Sequence, residues 1–167
     1  MGDLYVETLV KKRATATDML KKAGLILLTA AAAFVALFLS IWFIAAVIGL
    51  GVACFFLLPT FDVEFEYLLV NRELDIDKIF SKSRRKKAEQ FHLEEMELFA
   101  PVRSSRLDSY KNNMQLRVKD YSSQSGEEGV YAMIIRDDRG VYKVLLEPDA
   151  AMLDAMKKNF PNKVFVD

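Results

Sequence analysis

Residues 23–61 read AGLILLTAAAAFVALFLSIWFIAAVIGLGVACFFLLPTF, a run of 39 positions without one charged side chain. One helix crossing a bilayer needs about 20 apolar residues, so the run is roughly twice the length a single crossing requires. Drawn as one straight helix it would extend about 58 Å at 1.5 Å per residue. The hydrocarbon core it would have to fit is about 30 Å thick. Two helices joined by a tight turn fit better. The sequence predicts the first over residues 23–39 and the second over residues 43–58, turning around Ser40–Trp42. Gly49 and Gly51 leave a different break open. A single long tilted span is the alternative, with the C-terminal part on the far side. A buried hairpin in a soluble protein does not need so long an uncharged run.

A secretory leader is the competing reading of the same residues, because a basic start precedes the small residues Thr29 and Ala30–Ala33. The apolar run continues well past any cleavage site they would offer, which argues that it is retained. Its flanks carry the orientation signal. Lys11, Lys12, Arg13, Lys21 and Lys22 precede it, and Lys82, Arg84, Arg85, Lys86 and Lys87 follow. Basic residues are kept on the cytoplasmic side, which predicts a multi-pass cell-membrane protein with both termini cytoplasmic.

Outside the run the composition is ordinary. Lys and Arg number 23, Asp and Glu 23, and the zero net charge gives no reason to expect a nucleic-acid partner. The lone Cys54 lies within the apolar run and offers no internal disulfide. Ahead of the run, Leu4 to Val10 reads as a short strand that adds to a downstream sheet. Thr15 and Asp18 supply N-cap chemistry for the helix that follows.

After Pro59 the period changes from helical to two. Val63, Phe65, Tyr67 and Leu69 alternate with acidic neighbours, Asn71-Arg72 makes a turn, and Leu74, Ile76 and Phe80 return. Further strands are expected over residues 91–102 and 115–121. A hairpin of residues 129–136 and 141–146 is expected around Asp137-Asp138-Arg139-Gly140. Ser122 to Gly129 reads as an exposed loop. Ala150, Met152, Leu153, Met156 and Phe160 recur at helical spacing, with Pro148 in the first turn and Pro161 as the stop. The expected fold is an α+β membrane protein. It comprises a cytoplasmic lead (1–22), a transmembrane helical hairpin (23–59) and an antiparallel β domain with one C-terminal helix (60–167).

Meandering strands closed by one helix resemble the pleckstrin-homology-like (PH-like) domains that bacteria attach to short membrane hairpins. Gly2-Asp-Leu-Tyr-Val-Glu7, the stretch from Leu74 through Ser81-Lys-Ser-Arg-Arg-Lys-Lys87, Lys119-Asp-Tyr-Ser122 and Lys163-Val-Phe-Val-Asp167 further resemble a family of small bacterial membrane proteins of unknown function. That resemblance implies an architecture and a bacterial setting but no activity. PH-like domains that bind phosphoinositides generally use the loop between their first two strands. Here that loop reads as Asn71-Arg72, so the resemblance implies no lipid pocket.

Candidate sites are few. Lys82, Arg84, Arg85, Lys86 and Lys87 form a patch for anionic lipid headgroups or a protein partner, about 1 kcal/mol of attraction per charge near an anionic leaflet. The plainer reading is a solvated turn that sets topology. His92 has no His or Cys partners for a metal site, and Glu94 and Glu95 on a strand would face opposite ways. Ser104, Ser105, Ser122, Ser123 and Ser125 lack a base at a supporting position. Six Tyr and twelve Phe suggest core packing before base stacking. Trp42 suits an interfacial ring at the hairpin turn. With no ionisable residue in the run, transport by this chain alone is disfavoured. Ala30–Ala33, Ala36, Gly49 and Gly51 allow close helix packing, within the hairpin or against another subunit. The sequence therefore predicts no enzyme, no cofactor and no metal. It predicts a membrane-anchored binding or scaffolding protein whose partners are the bilayer, anionic headgroups, and an unidentified protein or a second copy. The alternative is an accessory subunit of a larger membrane complex such as a transporter.

Overall fold

Alternation of Val6, Thr8 and Val10 with Glu7, Leu9 and Lys11 builds β1 (Tyr5–Lys11), which lies ahead of the apolar run in sequence and inside the first sheet in space. The computed structural model describes residues 5–39, 41–111 and 115–166. Helices α1 (Ala16–Leu39) and α2 (Ile41–Leu57) follow. The windows Ala16–Ala36 and Ile44–Phe61 are each long and apolar enough to cross a membrane, and neither is buried inside the protein. The expected turn falls on Ser40, outside the described residues, as does the side chain of Trp42. The first helix starts earlier than residue 23 because Thr15 caps it. Its Oγ1 accepts from the Asp18 amide at 3.2 Å and donates to the Asp18 carboxylate at 2.7 Å.

The helices run back antiparallel. Thr29 returns its hydroxyl to the Leu25 carbonyl at 2.8 Å and sits 3.0 Å from Cys54 Sγ on the opposite helix. That satisfies the hydroxyl inside the hairpin, without water. A side chain added at Gly49 or Gly51 would meet nothing within 4 Å. These glycines therefore do not serve packing inside the hairpin.

A 3-10 turn (Leu58–Phe61) leads from α2 into β2 (Val63–Val70), which pairs with β1 on one side and β3 (Glu73–Phe80) on the other. The next strand, β4 (Arg84–His92), completes the order β1-β2-β3-β4. It corrects two expectations at once. The basic run is not a loop between strands, because Arg84 to Lys87 form the first half of an edge strand. The strand expected over 91–102 is two strands in different sheets. Leu93–Glu95 form a 3-10 corner, so Glu94 and Glu95 are not on a strand, and β5 (Met96–Pro101) opens the second sheet.

That sheet runs β5-β7-β8-β6, with a short helix α3 (Asp108–Lys111), β6 (Arg117–Asp120), β7 (Tyr131–Asp137) and β8 (Gly140–Leu146). The expected antiparallel pairing holds throughout both sheets except at one place, where β6 pairs parallel to β8. Residues 121–130 carry the chain to β7, and there the reading of an exposed loop holds only in part. Ser122 and Ser123 are buried, and the Ser123 hydroxyl donates to Glu147 at 2.7 Å.

The core lies between the sheets. Phe65, Tyr67, Leu69, Leu74 and Ile76 face Phe99, Met133, Ile135, Val144 and Leu146. The last helix, α4 (Ala150–Asn159), is capped by Asp149 and closes the core with Met152, Ala155 and Met156. Pro148 precedes the cap, where the sequence placed it inside the first turn. The other face of the second sheet is covered too, with Leu98, Ala100, Ile134 and Val141 packing on Leu107 and Phe165. Burial on both faces explains why Ala132-Met133-Ile134-Ile135 is apolar without alternation.

Candidate functional site at the hairpin–sheet junction

The residues that join hairpin to sheet are few and held at both ends. On the entry side only residues 12–15 separate β1 from α1. The Lys12 amide donates to the Val63 carbonyl at 3.0 Å, and that of Arg13 to Ser123 at 2.7 Å. On the exit side Pro59 opens the 3-10 turn, where its missing N–H costs nothing. The Ser81 amide then donates to the Asp62 carbonyl at 2.8 Å. Thus the turn joining β3 to β4 is tied directly to the end of the hairpin. Strand direction does the rest. β3 arrives at this end with Phe80, and β4 leaves it with Arg84.

Tight reversal of this turn needs left-handed backbone at two successive positions, and Ser81 (φ 45°) and Lys82 (φ 58°) supply it without glycine. Lys82 is held at the tip, exposed. Beyond it, the period of two divides the other four cations between the faces of the strand. Arg85 and Lys87 lie on the outer face. Arg85 donates to Glu66 at 2.5 Å and stands 3.8 Å from Asp77, and Lys87 lies 2.8 Å from Asp75. Asp75 beside it holds the Lys87 ammonium above its ordinary range. Burial pushes the Glu66 carboxyl up against the opposing pull of Arg85, and its Oε2 has no hydrogen-bond partner among the described residues.

Arg84 and Lys86 face the other way, toward the hairpin. Among the described residues neither has a carboxylate within ion-pair distance, and nor has Lys22 on α1. A cleft of about 820 Å³ opens between them, with Phe55, Phe56, Leu58 and Pro59 as its apolar wall, Phe80 at its back and Asp62, paired with Lys11 at 3.4 Å, on its lining. The patch predicted as one cluster of five is therefore two charged pairs on the outer face, one tip residue and two cations lining a cleft. The sequence did not mark Lys22, Phe55 or Phe56 as partners of Arg84 and Lys86. Nothing local in it signals that residues about sixty (Lys22) and about thirty (Phe55, Phe56) positions away line the same cleft.

The remaining candidates have structural places. His92 stands 3.4 Å from Glu73 at the far end of β4. Ser104 caps the 3-10 turn Ser105–Leu107 by accepting from the Arg106 amide. Tyr67 is wholly buried, and its hydroxyl donates to the Tyr121 carbonyl at 2.6 Å while accepting from the Glu147 amide at 3.4 Å. Burial raises the Tyr67 phenol above its ordinary range and takes Tyr121 to about 12. These rings are core, not a stacking platform.

One expectation is overturned by topology. The loop between the first two strands is not Asn71-Arg72, which joins β2 to β3 at the opposite end of the sheet. Because β1 precedes the apolar run, the first two strands are joined by the hairpin itself.

No curated protein and no solved structure matches this chain. Comparison with protein-family models matches residues 2–166 to one described as a bacterial PH-like domain, DUF6106. The matched residues take in β1, both long helices and every later strand, so the match covers the hairpin together with the sheets. Two sheets closed by a terminal helix, with the hairpin set between the first two strands, are the form that this chain, a member of the bacterial PH-like domain family DUF6106, takes.

Proposed function

We propose that this is a membrane-anchored binding or scaffolding protein that presents its PH-like domain at the cytoplasmic face of the cell membrane. The observation that carries this reading is the place of the hairpin, inserted between β1 and β2 with four residues on one side and one 3-10 turn on the other. A domain fastened at two adjacent strand ends cannot swing away as one on a single linker would. Its hairpin end carries Lys11, Lys12, Arg13, Lys21, Lys22 and the Lys82–Lys87 run. Charge of that sign next to apolar helices favours a cytoplasmic location for both flanks. The exposed side chains of the helices support the same reading. Leu27, Phe55 and Ile48 are 69%, 74% and 62% exposed in the protein alone. Covering each with lipid is worth about 1.5–3 kcal/mol.

Single-cysteine variants in a Cys54→Ala background test the topology. Cysteines placed at Glu7 and Glu127 are expected to react with a membrane-impermeant maleimide only after the membrane is opened from the cytoplasmic side. Labelling of either in intact cells would overturn it. The binding role is tested by purifying the full chain from native membranes in mild detergent and identifying what it retains. The reading includes no catalytic step, and turnover by the purified chain would count against it.

The second reading, an accessory subunit of a larger membrane complex, is supported by the uncovered glycines of α2. Gly49 and Gly51 leave space that nothing among the described residues fills. Replacing the hairpin by an unrelated one of equal length separates the two. Retained function supports the anchored scaffold, and lost function with an intact domain supports the subunit.

A further inference from the structure

Arg84 and Lys86 on the edge strand, with Lys22 on the first helix, form a cationic rim over an apolar wall. From this we infer that the junction cleft holds the headgroup of one anionic glycerophospholipid. This rests on the reading of the hairpin as membrane-spanning and adds to it a defined lipid site.

Three observations converge on it. First, the cleft is amphipathic in the sense a phospholipid is. Phe55 and Phe56 are exposed on the last turns of α2, and the cations stand where the uncharged run ends at Lys22. Acyl chains would lie along the phenylalanines while the phosphate meets the rim. Second, the cations are unneutralised. On the outer face of the same strand Arg85 and Lys87 each have a carboxylate, whereas Arg84 and Lys86 have none within ion-pair distance among the described residues: Asp62, which also lines the cleft, is paired with Lys11 at 3.4 Å. Third, Lys86 is the direct cross-strand partner of Lys78, which turns toward the rings of Phe65 and Tyr121 at 5.9 and 5.7 Å. Like charges directly opposite destabilise a sheet. An anion in the cleft removes that cost, and a phosphate is the group that Arg and Lys meet with charge-assisted hydrogen bonds. Ser83 at the lip adds a hydroxyl to the same cleft.

The site differs in kind from general attraction to a negative surface. Lys82 is a cation at the same end of the sheet but does not line the cleft, so it serves as the internal control. The full chain would be reconstituted into bilayers of equal phosphatidylglycerol and phosphatidylcholine, released into mild detergent, and weighed with its bound lipid by native mass spectrometry. One phosphatidylglycerol is expected to be retained in preference to phosphatidylcholine. Arg84→Gln and Lys86→Gln are each expected to reduce that retention roughly fivefold. Lys82→Gln is expected to leave it unchanged, as is an excess of inorganic phosphate in the buffer. Thermal unfolding of each single variant, read beside the lipid count, shows that the fold is intact. Equal retention of the two lipids, equal loss with Lys82→Gln, or displacement by phosphate would overturn the lipid site while leaving the anchored reading in place. Release of the chain from bilayers by alkaline carbonate would overturn both.

Discussion

Arg85 reaches from the edge strand across β3 to the carboxylate of Glu66 on β2, 2.5 Å away, with the Glu66 side chain only 3% exposed. Among the described residues the guanidinium is the only cation in contact with this carboxylate, which burial pushes toward its protonated form. Arg85→Ala is therefore expected to destabilise the protein by about 1–2 kcal/mol. That is less than a fully buried pair would lose, since the arginine itself is half exposed. Urea unfolding of the full chain in detergent checks it, and an unchanged midpoint would remove the pair from the account of the sheet.

The same carboxyl gives a pH dependence of defined sign. Its folded value lies above the ordinary glutamate value, so the native state holds the proton longer than the unfolded chain does. Its contribution favours folding below the ordinary glutamate range, near pH 4.3, and is lost as pH rises through the raised value. Glu66→Gln is expected to flatten that part of the stability profile, measured as melting temperature against pH. A profile identical to the parent would show that another group sets the slope.

Glu97 runs the other way. Arg136 Nε donates to its carboxylate at 2.6 Å, Tyr110 adds a second donor at 3.0 Å, and the arginine contact chiefly holds its pKa below the ordinary range. This pair stabilises above the unfolded glutamate value and loses its effect as pH falls through the depressed one. Arg136→Gln is expected to lower stability slightly at neutral pH, as a surface pair does, and not at all at a pH acid enough to protonate Glu97 in the folded state. The difference between variant and parent melting curves at the two pH values reads this directly.

Tyr67→Phe removes only an oxygen, yet that oxygen joins β2 to the ends of β6 and β8. Loss of it leaves the Tyr121 carbonyl without this donor in a dry setting. A cost of about 1–2 kcal/mol is expected, with no change in the denaturant slope.

Within the hairpin, Ile48→Arg places a charge near the middle of α2 with nothing in the chain to face it. Insertion is expected to become less favourable by about 2.5–3.5 kcal/mol, read as the fraction resisting carbonate extraction. Full resistance would mean that position 48 does not meet hydrocarbon, as when α2 packs against another protein.

Much of this was legible from residue periods alone. The two long helices follow from the length of the uncharged run, the hairpin of β2 and β3 and the closing helix from apolar spacing on one buried face, and that of β7 and β8 from two apolar runs around Asp137-Asp138-Arg139-Gly140. What escaped were elements without such a face. β4 opens with Arg84-Arg85-Lys86-Lys87, and the charges that mark it as a protected edge strand are the reason it does not read as a strand. The corner at Leu93 is one short turn inside an otherwise extended run. The parallel pairing of β6 is invisible in a segment of four residues. The junction cleft escaped for another reason: the basic half was visible at Lys82–Lys87, while its apolar half, Phe55 and Phe56, read simply as more of the membrane run.

The position of the hairpin between β1 and β2 also sets a timetable. As the chain emerges from the ribosome, Tyr5–Lys11 comes first and has no partner until Val63–Val70 follows. Everything made between them is the apolar hairpin, which on the proposed reading enters the bilayer. The first strand must wait, with Val6, Thr8 and Val10 uncovered, and it docks only when the two helices have brought their ends together. Assembly of the sheet is thereby a readout of completed insertion. On that reading, a chain whose hairpin stays outside the bilayer leaves β2 with an unpaired edge, open to pairing with another chain.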